Sequence, residues 1–247
     1  MRTDYLSSIL KKIAVIDDKN YLATYKFTIL NDECSIPFVA SDDSMKSYVT
    51  AQNFDMDNTT FAVSNITLLN KTLSRFSNDV NITVDKDDLV VTDGKMSASL
   101  MLNDEKVVHQ LEDLDMCYAM DDYEFSGEII FDRDFIDNFL ALAKNESYSP
   151  LDTFTIKWNN AKKKYNFKIG KNIKLKFDSN GTNTLDKLVV ILRVGLVYDI
   201  FNANKDLVEG CMKLHSETRD DTLVQFRFLS KDNITSVYNL IPEDYEH

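Results

Sequence analysis

Six glycines and three prolines among 247 residues leave this chain few points at which to break a helix or a strand. That scarcity excludes a collagen-like or linker-dominated chain, and no Gly-, Pro- or Ser-rich block divides it. The glycines, at 94, 127, 170, 181, 195 and 210, never fall in the Gly-x-x-x-x-Gly-Lys spacing whose amides cradle phosphates, so NTP hydrolysis is not expected. Cysteine is as sparse. Cys34, Cys117 and Cys211 are odd in number and far apart, which fits free thiols in a reducing compartment better than a disulfide frame. His109, His215 and His247 have no Cys or His partner at metal-ligand spacing, so neither a metal nor another cofactor is expected. No apolar run approaches the ~20 residues that cross a bilayer, and no basic-apolar-small leader opens the chain; a cytoplasmic protein without membrane contact is the expectation.

Positive charge is in deficit too: 28 Lys+Arg stand against 40 Asp+Glu, a formal net charge of -12. This balance argues against a protein coated in DNA-binding charge, because such modules are basic overall. It leaves room for one basic surface, since a local groove attracts a polyanion even where the far field repels it. Asp-x-Asp pairs at Asp55/Asp57, Asp113/Asp115 and Asp132/Asp134 are of the type that holds two metal ions in phosphoryl transfer, yet chance supplies such pairs in so acidic a chain. No nucleophile elbow accompanies them, and a non-enzyme is expected.

What is present is a hydrophobic fraction of 44%, enough for a packed core, arranged with alternating periodicities. DYLSSILKKIAVI, residues 4–16, places Leu6, Ile9, Leu10 and Ile13 on one helical stripe with Ser8, Lys11 and Lys12 away from it. YLATYKFTIL, IPFVAS and SMKSYVTAQ then read as strands. NITLLNKTLSRFSND, residues 65–79, is a second helix, with Ile66, Leu69, Leu73 and Phe76 inward and Lys71 and Arg75 four residues apart on the other side. Three strands follow in VNITVDKDDLVVTDGKMSASLML.

Residues 103–124 are acidic and show no clean period, and read as a connector. Beyond it come the strand FSGEII, the helix DRDFIDNFLALAKNES with Arg133, Asp137 and Lys144 on its polar side, and the strands TFTIKW, KYNFKI and NIKLKF. VVILRV is a strand leading to a short helix around Tyr198 to Lys205, and three strands close the chain. Helix plus strands recurs four times in two halves, an internal repeat. Lysines cluster between Lys157 and Lys176 with no acid among them, which reads either as a solvated hairpin that resists edge pairing or as a surface for an acidic partner, DNA or another subunit.

The duplicated layout, the acidic connector and the basic amphipathic helices resemble the DNA sliding clamps, the proliferating cell nuclear antigen-like clamps and those of T4-like bacteriophages. The likeness is most specific in GKNIKLKFDSN, LVVILRVGLVYDIFNANKDL and the ending SVYNLIPEDYEH, where Leu240-Ile241-Pro242 precedes an acidic tail. This resemblance implies an α+β clamp fold: two similar domains, 1–102 and 125–247, each with two helices packed on antiparallel sheets, joined by the connector 103–124 and assembled as a homotrimeric ring.

It further implies a viral, bacteriophage-like processivity factor that encircles double-stranded DNA and tethers a DNA polymerase, loaded by an ATP-driven clamp loader, in the host cytoplasm. Channel-facing charge would come from Lys11, Lys12, Lys71, Arg75, Arg133, Lys144 and Lys205, with Asp134 and Asp137 weakening the third helix. A partner peptide would dock against Leu111, Leu114 and Met116 of the connector and Tyr238, Leu240, Ile241 and Pro242 of the tail, or these residues would seal the domain junction, two roles that can coexist. Subunits would join through NIKLKF and KMSASLML, with Lys171, Lys174 and Lys176 approaching Asp104 and Glu105 of a neighbour. A monomeric clamp-fold accessory subunit, holding DNA on one basic face, is the alternative; an enzyme built on the Asp-x-Asp pairs is a third.

Overall fold

The computed structural model describes residues 1–16, 24–40, 44–76, 79–104, 114–145, 152–171, 173–175, 180–184, 188–216 and 222–242. The chain divides into two compact units. Unit 1 comprises Met1–Ala119 with Asp232–Ser236, and unit 2 comprises Met120–Lys231 with Val237–His247.

Unit 1 opens with α1 (Thr3–Ile13), extended by a 3-10 turn over Ala14–Ile16. The antiparallel strands β1 (Thr24–Leu30), β2 (Glu33–Val39) and β3 (Met45–Gln52) follow. Next come β4 (Thr59–Ser64), α2 (Ile66–Leu73) and the strands β5 (Asn81–Asp85), β6 (Asp88–Thr92) and β7 (Ser97–Met101). Helix α3 (Leu114–Ala119) ends the unit's continuous stretch.

Unit 2 begins with a 3-10 turn, Met120–Asp122, then β8 (Gly127–Phe131) and α4 (Arg133–Asn145). β9 (Thr153–Asn159), β10 (Lys164–Ile169), β11 (Ile173–Leu175) and β12 (Asn180–Asn183) follow. The last elements are β13 (Val189–Arg193), α5 (Val194–Ala203), β14 (Leu207–Ser216), β15 (Thr222–Ser230) and β16 (Ile234–Leu240).

One grammar generates both halves. Helices α1, α2 and α5 are each followed by three strands and α4 by three plus β12, and a leader strand precedes α2, α4 and α5. The sheet order is third, second, first, then the next leader: β3-β2-β1-β4 in unit 1 and β11-β10-β9-β13 in unit 2. Leader β8 likewise joins the first strand β14, giving β12-β8-β14-β15-β16. Before α1, Met1 takes the leader's place: its amine donates to Val80 O at 2.7 Å and Val80 N donates back to Met1 O at 2.8 Å. The fourfold repeat read from the sequence is thus a repeat of hydrogen bonding as well as of order.

Periodicity explains the cores. In unit 1, Leu6, Ile9, Leu10 and Ile13 of α1 and Ile66, Leu69 and Leu73 of α2 are all buried, as is Phe76 just beyond α2. Unit 2 is built around phenylalanine. Phe201 stands at 4.9 Å from Phe139, 5.6 Å from Phe131 and 5.6 Å from Phe226, mostly in edge-on or tilted arrangements that favour the ring quadrupoles.

Several boundaries differ from the sequence reading for physical reasons. Helix α2 is shorter than residues 65–79: Arg75 N and Phe76 N bond to carbonyls three residues back, and the Ser74 hydroxyl donates to Lys71 O at 2.8 Å, drawing off the regular ladder. Its start is fixed by Asn65, left-handed at φ 60°, whose side chain accepts from Leu68 N at 2.9 Å. Helix α5 starts at Val194, not near Tyr198, because the near-continuous apolar run hides the change of period. Asn204, fully buried, closes it by donating to Ile200 O at 2.8 Å and to Tyr238 Oη at 3.0 Å.

β12 was unforeseen, since Asn-Gly-Thr-Asn has poor strand propensity. Packing selects its glycine: a Cβ at Gly181 would lie 2.8 Å from Glu128 O and 2.9 Å from the Tyr165 ring. The Tyr165 hydroxyl donates to Thr182 O at 2.9 Å, pinning this edge strand, and burial pushes its pKa well above the usual tyrosine range.

Candidate nucleic-acid interface

The helix layer of unit 1 is basic on its exposed side. Lys11 on α1, Lys71 on α2 and Arg75 just past α2 are all exposed. The Ser7 hydroxyl donates to Asn70 Oδ1 at 2.8 Å, which sets the polar edges of α1 and α2 side by side. Ser7 lies one helical turn from Lys11 on α1, and Asn70 and Ser74 lie beside Lys71 and Arg75, so small hydrogen-bonding groups neighbour the cations. Ion-coated duplex phosphates are attracted by such a surface without any base being read.

Lys12 departs from its expected place. Its side chain is buried, at 1% exposure, so it contributes no solvent-facing charge. The buried stripe of α1 extends past Ile9 and Tyr5 to take in position 12 at its margin, which the spacing alone left ambiguous.

Unit 2 presents a different helix layer. Arg133 is exposed but paired with Asp137 at 3.5 Å, one turn along α4, and Asp134 is exposed beside it. Lys144 is exposed in the last turn, where a cation suits the helix dipole. The exposed residues of α5 include Asp199 and Asn202 and no cation; Lys205 is exposed but lies in the turn beyond the Asn204 cap. Asp132 of the Asp132/Asp134 pair has a structural role, accepting from Phe135 N at 2.9 Å as the N-cap of α4.

The expected partner pocket is divided. Leu111 lies outside the described residues, as does the side chain of Leu114, whose backbone opens α3. Met116 is 47% exposed, with Lys46 Nζ 3.6 Å from its sulfur. Tyr238 and Leu240 are buried at 0% and 1%, Tyr238 between Asn204 and the Phe228 ring, so both are core and neither is an open wall. The resemblance implied that they were pocket walls; β16 is instead buried on both sides, Ser236 and Asn239 included. Ile241 is 48% exposed and Pro242 is half-buried, and these remain available.

Helix α3 itself, inside the supposed connector, carried no sequence signal beyond its cluster of apolar residues. It is fastened to the outer face of unit 1. Tyr118 hydrogen-bonds Ser35 through the two hydroxyls, its ring lies 4.7 Å from Tyr48, and the buried Cys117 sulfur sits 3.7 Å from Phe38 O. Desolvation raises the Tyr118 pKa, so the phenol stays protonated.

At the expected subunit edges, Lys171, Lys174 and Asp104 are exposed, whereas Lys176 and Glu105 fall outside the described residues. β7 and β11 are both terminal strands of their sheets. Each offers a row of backbone donors and acceptors to another chain.

No protein-family description and no curated protein matches this sequence. Solved structures match its whole length. The structure of the C-terminal region of FEN-1 bound to A. fulgidus PCNA superposes with TM-score 0.72 over 100% of this chain and 98% of the other, at 14% identity. Proliferating Cellular Nuclear Antigen from Entamoeba histolytica gives TM-score 0.72 over 98% and 96%, at 12% identity. The fold is the PCNA clamp fold. The fold is shared with few residues in common. Within unit 1 helix α1 packs against α2, and within unit 2 helix α4 packs against α5.

Proposed function

We propose that this chain is a DNA sliding clamp, a non-catalytic processivity factor that closes as a ring of three copies around duplex DNA. The observation that carries the reading is a full-length PCNA clamp fold whose unit 1 helix layer exposes Lys11, Lys71 and Arg75 on a chain of net charge -12. An acidic chain that still places exposed cations on the unit 1 helix layer fits a ring that attracts a duplex within. Phosphate contacts without base contacts suit sliding, since they position a duplex without choosing a sequence.

On this reading the ring raises the effective concentration of a tethered DNA polymerase at the primer end, so a polymerase that lets go rebinds before escaping. Partners dock through apolar anchors, for which the resemblance offers the exposed Met116 in unit 1 and the exposed Ile241 in unit 2. Closure pairs β11 of one copy with β7 of the next, bringing Lys171 and Lys174 to Asp104. Loading requires an ATP-driven loader. The bacteriophage-like setting, in host cytoplasm, rests on the sequence likeness alone.

A second reading has an observation of its own: Arg133 is spent on Asp137 and α5 exposes no cation, so only one unit's helices are clearly basic. This would suit a monomeric accessory subunit that holds DNA on one side. Native mass across protein concentrations separates the two. A species near three times the 28.4 kDa chain mass, weakened by Lys174→Glu, supports the ring; a monomer at all concentrations, with and without DNA, rejects it.

A further inference from the structure

The outward side of the four-stranded sheet in unit 2 carries charge of which the clamp reading uses only Lys174, at the subunit edge. Phe154, Ile156, Phe167, Leu175 and Leu192 turn inward and are buried. On the opposite side the same strands carry Lys157, Lys164, Lys168, Lys174 and Arg193, and no Asp or Glu occupies an outward position of β9, β10, β11 or β13. In a chain with 40 acidic residues, an array of this kind is a departure from composition.

Register concentrates it. Lys168 lies directly opposite Lys174 on one side and Thr155 on the other, while Lys157 lies opposite Asn166. Like charges directly across a ladder are destabilising, so the Lys168/Lys174 pair is a cost of the fold unless an anion comes between them. Thr153, Thr155, Asn159 and Asn166 fill the gaps with neutral hydrogen-bond donors.

We propose that this sheet face is a second contact surface for duplex nucleic acid, gripping phosphates from outside the helix layer. With strands ~4.8 Å apart and ~3.3 Å per residue, the array is about 15 Å on a side. A duplex presents one charge per ~1.7 Å of axis, dense enough to meet several of these cations at once. Lysine and hydroxyl donors are the groups that hold phosphate oxygens without reading bases.

The array disfavours the other anionic partners. Outward positions hold no aromatic ring, so unpaired bases find no stacking platform. An acidic peptide needs apolar anchors for lasting affinity, and the outward apolar residues, Val189 and Ile191, sit together on the terminal strand β13.

The test is the salt dependence of binding of the full chain to a short blunt duplex. It compares wild type, the sheet variant Lys157→Gln/Lys164→Gln/Lys168→Gln and the helix variant Lys11→Gln/Lys71→Gln/Arg75→Gln. These sheet positions avoid the proposed subunit edge, and unchanged native mass and circular dichroism confirm that assembly and fold are intact. The sheet variant should lower the slope of log K against log salt by about two to three and weaken binding on the order of tenfold at low salt, additively with the helix variant. An unchanged slope in the sheet variant overturns the proposal. Loss of polyglutamate binding with duplex binding unchanged also overturns it, in favour of an acidic protein partner. Loss confined to the helix variant leaves the clamp reading standing and removes this surface.

Discussion

In unit 1 the helix layer exposes Lys11, Lys71 and Arg75, while a row of hydroxyls, Thr60-Thr28-Ser35-Thr50, runs across the outer face of β4-β1-β2-β3. In unit 2 the equivalent row is Ile191-Thr155-Lys168-Lys174 across β13-β9-β10-β11, and the helix layer is near neutral because Arg133 is held by Asp137. The same strand order therefore carries opposite electrostatics. Backbone hydrogen bonding and inward apolar positions specify the layer architecture; outward positions are free to diverge, and each unit has spent that freedom differently. The hydroxyl row receives Tyr118 of α3 at Ser35, so it has become a docking face for the chain's own segment. A lysine row would repel nothing acidic and would give a phenol hydroxyl a charged neighbour, so the two faces are not interchangeable.

The core offers the sharpest way to break this symmetry. Phe201→Ala removes the ring shared by Phe131, Phe139, Phe226 and Phe228 and should cost about 3–5 kcal/mol. Amide exchange should then report loss of protection in unit 2 while α1 and α2 stay protected; equal loss in both units would mean that they fold as one cooperative body.

Alkali should act on both halves alike. Burial pushes the Tyr5 pKa up to about 12, and Tyr165 is shifted in the same direction. Above pH ~10 the unfolded phenols lose protons that the native ones retain, so stability present below pH ~10 declines by about 1.4 kcal/mol per pH unit for each such group until its folded pKa is passed. Tyr5→Phe should flatten this decline in urea titrations between pH 10 and 12, although it also deletes the hydrogen bond to Gln52 O at 2.5 Å. An unaltered pH slope would refute the assignment.

Tyr118→Phe tests the covered face. Loss of the Ser35 hydrogen bond should cost about 0.5–1.5 kcal/mol in unfolding and increase amide exchange within α3, with little change in β10. The smallest expected effect makes unit 2 resemble unit 1: Asp137→Asn frees Arg133 and should strengthen duplex binding severalfold, with a slope of log K against log salt steeper by about one. Unaltered binding would mean that the exposed face of α4 does not meet DNA.

Legibility followed the same division between inward and outward positions. α1, α2 and α4 were readable because their apolar stripes recur at helical spacing, and the strands of unit 1 because polar and apolar residues alternate cleanly. The start of α5 was hidden by an unbroken apolar run, and β12 by residues chosen for close approach, Gly181 above all. For the site, Arg133 with Asp137 was visible in the i,i+4 spacing. Burial of Lys12, Tyr238 and Leu240 was not, because a residue at the margin of a stripe or at the end of a strand is assigned to solvent or core by what packs over it, and that is a tertiary fact. Arg193 escaped notice as part of the basic array since it joins Lys157 and Lys168 only through the pairing of β13 with β9.

That pairing scheme also dictates when the protein can finish folding. β1 finds β2 and β4 within a short stretch of chain, and Phe27 already meets Phe61 there. β8 must wait for β14, where Ile130 meets Cys211, and Asp232 returns from near the far end to join Arg2 in unit 1 at 3.0 Å. Distant pairings of this kind slow the search for the native state and leave strand edges bare meanwhile. On the ribosome, the nascent chain would thus hold an incomplete first half and a β8 paired only to β12, its other edge bare, until β14 has emerged, the interval in which a chaperone would find the most to bind.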